Sequence, residues 1–447
     1  MPVEGPEARL LPASPGTVRS GFEREQPASG GAGMTTIEDS PTTVEATGAA
    51  AFVRQPPAIW AADLLDAIAD QAPQADRTRT IDPAVIARIK SSEVLALSAT
   101  RAIGGHEASM GQLGAELGAI ASACSSTAWC LWNHLCVFHL FCGALGPAHR
   151  DLLAGIVERH EWVCFPAGAG SRVLGRVDGD VVRLSGPAGF GSGCRYADWA
   201  GVAFALTDGT SPVTAADLRF SIVRLDEPGV RIEPTWDAAA LRATATDTVH
   251  YEDVVIPLER CVPWYAANRA EILRDPDLPM ISHRYREDWV GLSDLWLGSM
   301  AVGVVTAALA EAVASIGGGR RAIMGASMAQ MPMVQANLGE VASLLAAARS
   351  MIERATAEVD ERIAVDVFPT EFDYRRQASV PAIALQLCEQ AMQLLLRTQG
   401  GNGLRESGTF ERRWRDFTAM PLHINAHPDR VHPRLGQLLL GVDPDIF

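Results

Sequence analysis

The sequence predicts an α+β protein in three parts: a helical N-terminal domain, a β-rich middle domain and a C-terminal bundle of long helices. Three observations carry this reading. Residues 58–160 space their apolar side chains at helical intervals. Residues 161–265 break into short β-branched runs divided by turn signals. Residues 285–425 return to long, Ala-rich helical stretches. Residues 1–57 precede these parts, and residues 426–447 follow as a tail.

Residues 1–57 are rich in Gly, Ala, Pro, Ser, Thr and Glu and poor in large apolar side chains. Such a composition cannot bury enough surface to order itself, so a disordered extension is expected, with Met34 a candidate start. Residues 61–71 then set Leu64, Leu65, Ile68 and Ala69 at helical spacing. Asp82-Pro83 predicts a helix start, with the carboxylate as cap and the proline at the first helical position. Residues 111–145 are apolar on most faces and read as one long buried helix.

In the middle part, residues 173–177, 181–184, 199–205, 220–224 and 248–255 are expected strands. Asp178-Gly179-Asp180, Asp208-Gly209 and Glu227-Pro228-Gly229 separate them, which suggests a small barrel or sandwich. Residues 292–316, 333–359 and 378–398 supply the long helices, interrupted at Pro369.

The formal charge of −15 argues against a nucleic-acid or anionic-membrane binder, which would need basic clusters. The most apolar run, residues 130–145, is broken by Asn133, His134 and His139 and is too short to span a bilayer. No secretory signal pattern opens the chain, so a cytoplasmic location is expected. Cys124, Cys130, Cys136 and Cys142 recur every six residues, a step that turns each thiol by about 240° on a helix. They cannot gather on one metal, no CxxC pair occurs, and no metal site is expected; small buried side chains are.

Three local patterns go further. The first is Leu241-Arg242-Ala243-Thr244-Ala245-Thr246 leading into Tyr251-Glu252-Asp253-Val254-Val255-Ile256-Pro257. The second is Arg320 with Met324-Gly325 and then Gln335-Ala336-Asn337-Leu338. The third is Gln399-Gly400-Gly401-Asn402-Gly403 followed by Glu411-Arg412 and Arg415-Asp416. Together with the order of the three parts, they resemble the acyl-CoA dehydrogenase superfamily over about residues 60–425. The resemblance implies a C-terminal four-helix bundle and a flavin site at a subunit interface, hence a homo-oligomer, a tetramer by analogy. Gly400, Gly401 and Gly403 would let backbone amides approach the cofactor, and Arg242 and Arg320 would contact it, Arg320 binding phosphate from the neighbouring subunit.

A dehydrogenase of this superfamily needs a carboxylate base, and most members place a Glu seven residues after the first Gly of the pair. Here that position is Ser407, with Glu406 one residue early and Leu404 where an aromatic residue is usual. The chain is similar instead to the branch of two-component flavin-dependent monooxygenases, which includes p-hydroxyphenylacetate and steroid-phenol hydroxylases, dibenzothiophene monooxygenases and amino-sugar N-oxygenases. Ser122-Ala123-Cys124-Ser125-Ser126-Thr127-Ala128-Trp129 matches one of its helices. Leu184-Ser185-Gly186, Phe190-Gly191-Ser192-Gly193-Cys194 and Ala197-Asp198-Trp199 match its β-strand motif, with Ala188 where Trp is usual.

This resemblance implies that the chain receives reduced FAD or FMN from a separate NAD(P)H-dependent flavin reductase. With O₂ as co-substrate it would hydroxylate a small aromatic or polyketide-like molecule through a C4a-(hydro)peroxyflavin. Trp129, Phe190, Ser192 and Gly193 would border the flavin, and Ser192 would hold its oxygen adduct by a hydrogen bond. His423, seven residues after Asp416, is the implied base toward a phenol. His134 is a second candidate. His139 lies five residues further on and points about 140° away on a helix, so at most one of the two faces the flavin. Trp129, Trp132, Phe138, Phe141 and Trp199 could line a pocket or fill the core. An acyl-thioester dehydrogenase is the alternative enzyme, and a flavin-free scaffold the non-catalytic one.

Overall fold

The computed structural model describes residues 55–166, 171–263, 283–287 and 289–442. The extension expected over residues 1–57 therefore falls, up to residue 54, outside the described residues. The N-terminal helices are α1 (Leu65–Thr78), α2 (Pro83–Lys90), α3 (Met110–Ala123), α4 (Ser125–Ala144) and α5 (Arg150–Glu158). Asp82 caps α2 as expected, its carboxylate accepting from the Ala84 N–H at 2.7 Å.

The single helix expected over residues 111–145 is two helices. Cys124 between them is extended, at φ −151° and ψ 113°. Ser125, Ser126 and Thr127 follow the break, and such hydroxyl residues favour helix starts over helix interiors. The chain turns there so that α4 can enter the core. Its first half packs into the main cluster beside the bundle, and its second half packs with Trp199, Phe220 and Ile222 of the sheet.

The middle part is one eight-stranded sheet. It comprises β1 (Val163–Cys164), β2 (Leu174–Asp178), β3 (Val181–Gly191), β4 (Trp199–Leu206), β5 (Leu218–Arg224), β6 (Val230–Glu233), β7 (Asp247–Pro257) and β8 (Val262–Pro263). The order is β6-β7-β3-β2-β4-β5-β8, with β1 added parallel to β4. The five expected strands are present. The additions, β1, β6 and β8, are two to four residues long, too short for an alternating pattern to stand out. The long β3–β7 pairing shifts register twice, between Leu184 and Gly186 and between Ala188 and Gly191. Such bulges bend a strand; Gly191 stays paired with Asp247 of β7, and the next residue, Ser192, meets Trp129 of α4.

The C-terminal bundle contains α6 (Trp289–Gly317), α7 (Pro332–Ala364) and α8 (Glu371–Gln399), followed by α9 (Thr409–Phe417) and α10 (Pro428–Leu439), the last lying in the expected tail. By length and composition α6 could cross a membrane, more so than residues 130–145. It is the central helix of the bundle instead, covered by α3, α7 and α8, and most of it is buried. Its apolar faces are thus covered within the chain. The α3–α6 crossing is close because glycines meet there: a Cβ on Gly303 would lie 2.1 Å from the Gly118 carbonyl oxygen.

His134 ties α4 to the sheet. Its Nδ1 accepts the Val163 N–H at 2.9 Å, and its Nε2 lies 2.9 Å from the Leu95 carbonyl. The Val163 bond requires a bare Nδ1, so the ring is neutral with its hydrogen on Nε2. Burial pushes its pKa down from 6.5 to about 4.

Two consequences can be measured. Gly303→Ala should cost about 1–3 kcal/mol by forcing α3 and α6 apart, read as a lower urea midpoint at unchanged slope. The depressed pKa of His134 means that the unfolded chain takes up a proton more readily than the folded one. Its contribution is therefore complete above pH 6.5, declines at up to about 1.4 kcal/mol per pH unit as the pH falls, and levels off near pH 4. His134→Gln should flatten the stability–pH curve over that window. A variant curve parallel to wild type would contradict the assignment.

Candidate active site

Four pieces of chain converge beside α4: the turn after β3, the segment between Leu241 and Thr246, the first half of α4 itself, and the turn after α9. Ser192 stands in the first of these and is buried. Its Oγ accepts the Trp129 Nε1–H at 3.2 Å and lies 3.0 Å from Thr246 Oγ1. Trp129 is half-buried, and Phe190, at φ 58° and 59% exposed, stands at the rim of the same turn. An aromatic ring exposed to this degree at the end of a strand is a surface that a flat ligand could cover.

The turn after α9 brings His423 to the same place. It sits between two short 3₁₀ turns, Met420–Leu422 and Ile424–Ala426. Its ring meets Trp132 edge-on at 4.8 Å and Trp129 at 5.8 Å. Trp132 is anchored by its Nε1–H to the Ser293 carbonyl at 2.9 Å. The residue as a whole is half-buried, but Nδ1 is fully covered and has no hydrogen-bond partner among the described residues. Burial, with Arg430 nearby, lowers its pKa from 6.5 to about 4. The ring is therefore neutral at ordinary pH and offers a nitrogen able to accept a proton. His423, Trp129 and Ser192, expected together from sequence, are brought together.

The remaining candidates divide. His134 has both nitrogens committed to backbone groups, which removes it as a proton acceptor and corrects the expectation. His139 is buried against Tyr285 and Trp296. Phe138, Phe141 and Trp199 fill the core, whereas Trp129 and Trp132 border His423. The Gly193 N–H is taken by the Thr244 carbonyl at 2.8 Å, so Gly193 shapes the turn and has no free amide to offer a ligand. Arg242 is likewise occupied: its Nε donates to the Ala239 carbonyl at 3.1 Å, and its guanidinium lies 3.6 Å from Asp76.

At the far end of α8, Gly400 sits at φ 59°, and a Cβ on it or on Gly401 would meet nothing within 4 Å. Gly403 differs, because a Cβ there would come within 2.8 Å of the Gln399 side chain, so it is a packing glycine. Arg320 is held by Gln399 of its own chain, at the side-chain oxygen and at the carbonyl, the latter at 2.8 Å. Arg320, Gly400 and Gly401 thus form one surface. Within the chain, no hydrogen bond or ring contact among the described residues joins this surface to Ser192 or His423.

Sequence reading passed over Thr244 and Thr246 as chemistry and left Trp132 undecided. Trp129 and Trp132 are three apart, a spacing that puts two side chains on one helical face and could have flagged the pair. Glu406 and Ser407 are both exposed, so that segment supplies no sheltered carboxylate. A cleft of about 340 Å³ opens between α3, α6 and α7, lined by Gly114, Ser299, Val302 and Arg349 among others; none of the site residues borders it. All eight cysteines are free, seven of them buried. Among the described residues no cluster of His, Cys, Asp and Glu could hold a metal.

Residues 295–428 match the family described as acyl-CoA dehydrogenase, C-terminal domain. The chain is 26% identical over 414 residues to the oxygenase component of an FADH(2)-dependent resorcinol hydroxylase from Rhizobium sp. (strain MTP-10005), which covers 86% of this chain and 93% of that protein. It is 25% identical to the oxygenase subunit HsaA of a flavin-dependent monooxygenase from Rhodococcus jostii (strain RHA1), over 83% of this chain and 95% of the relative. Among solved structures, XiaF from Streptomyces sp. in complex with FADH2 and glycerol superposes with a TM-score of 0.78 at 21% identity, covering 89% of this chain and 96% of that one. The chain therefore has the acyl-CoA dehydrogenase fold, and its sequence likeness runs to the oxygenase components of two-component flavin-dependent monooxygenases.

Proposed function

We propose that this protein is the oxygenase component of a two-component flavin-dependent monooxygenase. It takes reduced FAD or FMN from a separate NAD(P)H-dependent reductase and hydroxylates a small aromatic substrate, with a phenol or a polyketide-derived phenol as the fitting class. One observation carries the reading: a neutral histidine, His423, packs against two indoles, and one of them, Trp129, donates a hydrogen bond to the buried Ser192. The likeness to the oxygenase component of a resorcinol hydroxylase supports a phenolic substrate.

The residues present fit a flavin. Ser192 and the exposed Phe190 ring offer a hydroxyl beside an apolar face, and Gly400 and Gly401 leave the backbone open where a phosphate or ribose could approach. Bound reduced flavin supplies the activation of O₂. Ser192 would orient the ring by a hydrogen bond, Trp129 and Trp132 would exclude water, and His423 would take the phenol proton and make the substrate a better nucleophile. A negative charge in the site would lift the His423 pKa toward the working range. The resemblance to the acyl-CoA dehydrogenase superfamily, which implies a flavin at a subunit interface, supports a homo-oligomer such as a tetramer. The dehydrogenase reading lacks its base, since Glu406 and Ser407 stand in solvent.

His423→Ala should keep the fold and the flavin affinity but lower product formation by about 10²–10⁴-fold, the usual scale for a lost general base. Oxygen should still be consumed with reduced flavin, now released as hydrogen peroxide. Product yield, peroxide and oxygen uptake measured together decide the matter. A wild-type product rate in the variant would make His423 structural.

A further inference from the structure

Behind Ser192 runs a row of three buried side-chain hydroxyls that ends on one carbonyl. Ser192 Oγ lies 3.0 Å from Thr246 Oγ1, which lies 2.7 Å from Thr244 Oγ1, which lies 2.9 Å from the Leu241 carbonyl oxygen. Each hydroxyl carries one proton and accepts up to two hydrogen bonds, so the row has two continuous arrangements.

In the inward arrangement Ser192 donates to Thr246, Thr246 to Thr244, and Thr244 to Leu241. Ser192 then accepts from Trp129 and keeps one lone pair for a further donor. In the outward arrangement Thr244 donates to Thr246 and Thr246 to Ser192. Ser192 now accepts twice, and its own proton must find an acceptor outside the row. The reversal gives up only the Thr244–Leu241 bond. The Leu241 carbonyl is not left bare, because it also takes Trp236 Nε1 at 2.9 Å and the Thr244 N–H at 3.2 Å. A carbonyl with two lone pairs faces three donors in one arrangement and two in the other, so the two lie close in energy. The Thr244 carbonyl in turn holds the Gly193 N–H at 2.8 Å, fixing the row against the Ser192 turn.

We propose that Thr244 and Thr246 are positioning residues that let Ser192 accept a hydrogen bond from reduced flavin and donate one to oxidised flavin. This rests on the flavin reading above, with Ser192 beside ring nitrogen N5. That nitrogen carries a hydrogen in the reduced ring and a bare lone pair in the oxidised ring, so one serine can match both states only if its own proton can turn inward. Removing either threonine hydroxyl strands one buried proton whenever Ser192 faces the reduced ring.

The test is an anaerobic titration of the full-length protein with oxidised FAD and with reduced FAD, followed by quenching of tryptophan fluorescence. Wild type, Thr244→Val, Thr246→Val and Thr244→Ser are compared, with a melting temperature for each. Both valine variants should weaken reduced FAD at least about fivefold relative to oxidised FAD, the scale of one stranded buried donor. Thr244→Ser should restore the wild-type ratio. A ratio unchanged in the valine variants, or the same loss for both redox forms, overturns the proposal. If one valine variant fails to fold, the other carries the test, since either one breaks the row. Wild-type protein that binds neither form refutes the flavin reading and this inference with it; wild type that binds both, with the ratio unmoved in the variants, refutes the row alone.

Discussion

The site hangs on one buried clasp, Arg415-Asp416 at the end of α9. Asp416 Oδ1 accepts the Leu241 N–H at 2.7 Å, and Arg415 donates to the Ala239 carbonyl at 2.9 Å, to Asp76 of α1 at 2.8 Å and to Glu411 at 2.7 Å. Three remote parts of the chain are thereby drawn to one point. Burying these charges is costly unless every donor and acceptor is used. The cost shows in Asp416, whose pKa burial pushes up to about 6 in spite of Arg415 beside it. What the clasp secures is the 239–246 segment, which turns through left-handed backbone at Leu241 and Ala245. Neither residue is glycine, so this conformation needs outside support. From that segment Thr244 and Thr246 reach Ser192, and from the end of the same clasp the chain runs on to His423. A shift in the clasp would move both halves of the site together.

How much of this was legible in the sequence depends on how far away each cause lies. The Asp82-Pro83 cap acts within two residues, and the long helices repeat one apolar pattern many times, so both could be read directly. The break at Cys124 could not be read from periodicity, because apolar residues on both sides continue the helical pattern and only tertiary packing decides where it turns. The role of His134 was equally hidden: its partners, Leu95 and Val163, are 39 and 29 residues away. Trp129, Ser192 and His423 were legible through resemblance alone, because positions so far apart in the chain carry no spacing that marks a shared site. The hydroxyls behind Ser192 were within the quoted motif, but a Thr-x-Thr strand entry has no local mark that distinguishes a hydrogen-bonded row from ordinary β-branched packing.

His134 and His423 show why burial alone does not identify a base. Both rings are kept neutral at a pKa of about 4 by the same desolvation. They differ in what surrounds the nitrogens. His134 donates to one main-chain group and accepts from another, so protonating it would break a bond that holds β1 to α4. His423 is walled by indole edges and faces, and its covered Nδ1 has no partner among the described residues. An unmet acceptor in an apolar wall is costly in a protein that does not use it, since buried polar atoms are nearly always satisfied. The covered Nδ1 is out of reach of a ligand, so under the proposed function it is the other ring nitrogen, Nε2, that would meet the substrate.

The same comparison separates oxygenase from dehydrogenase chemistry on this fold. Taking a proton from carbon next to a thioester asks for a carboxylate held in a dry site, where desolvation raises its basicity. Here the segment that would supply it, after Gly403, lies in solvent with Glu406 and Ser407 exposed, so it offers no dry carboxylate. A phenol proton is far more acidic, and a neutral imidazole can take it without a second buried anion beside the flavin. Under the proposed function, His423 as base would suit O–H rather than C–H substrates, and the indoles around it would suit a flat ring better than an acyl chain.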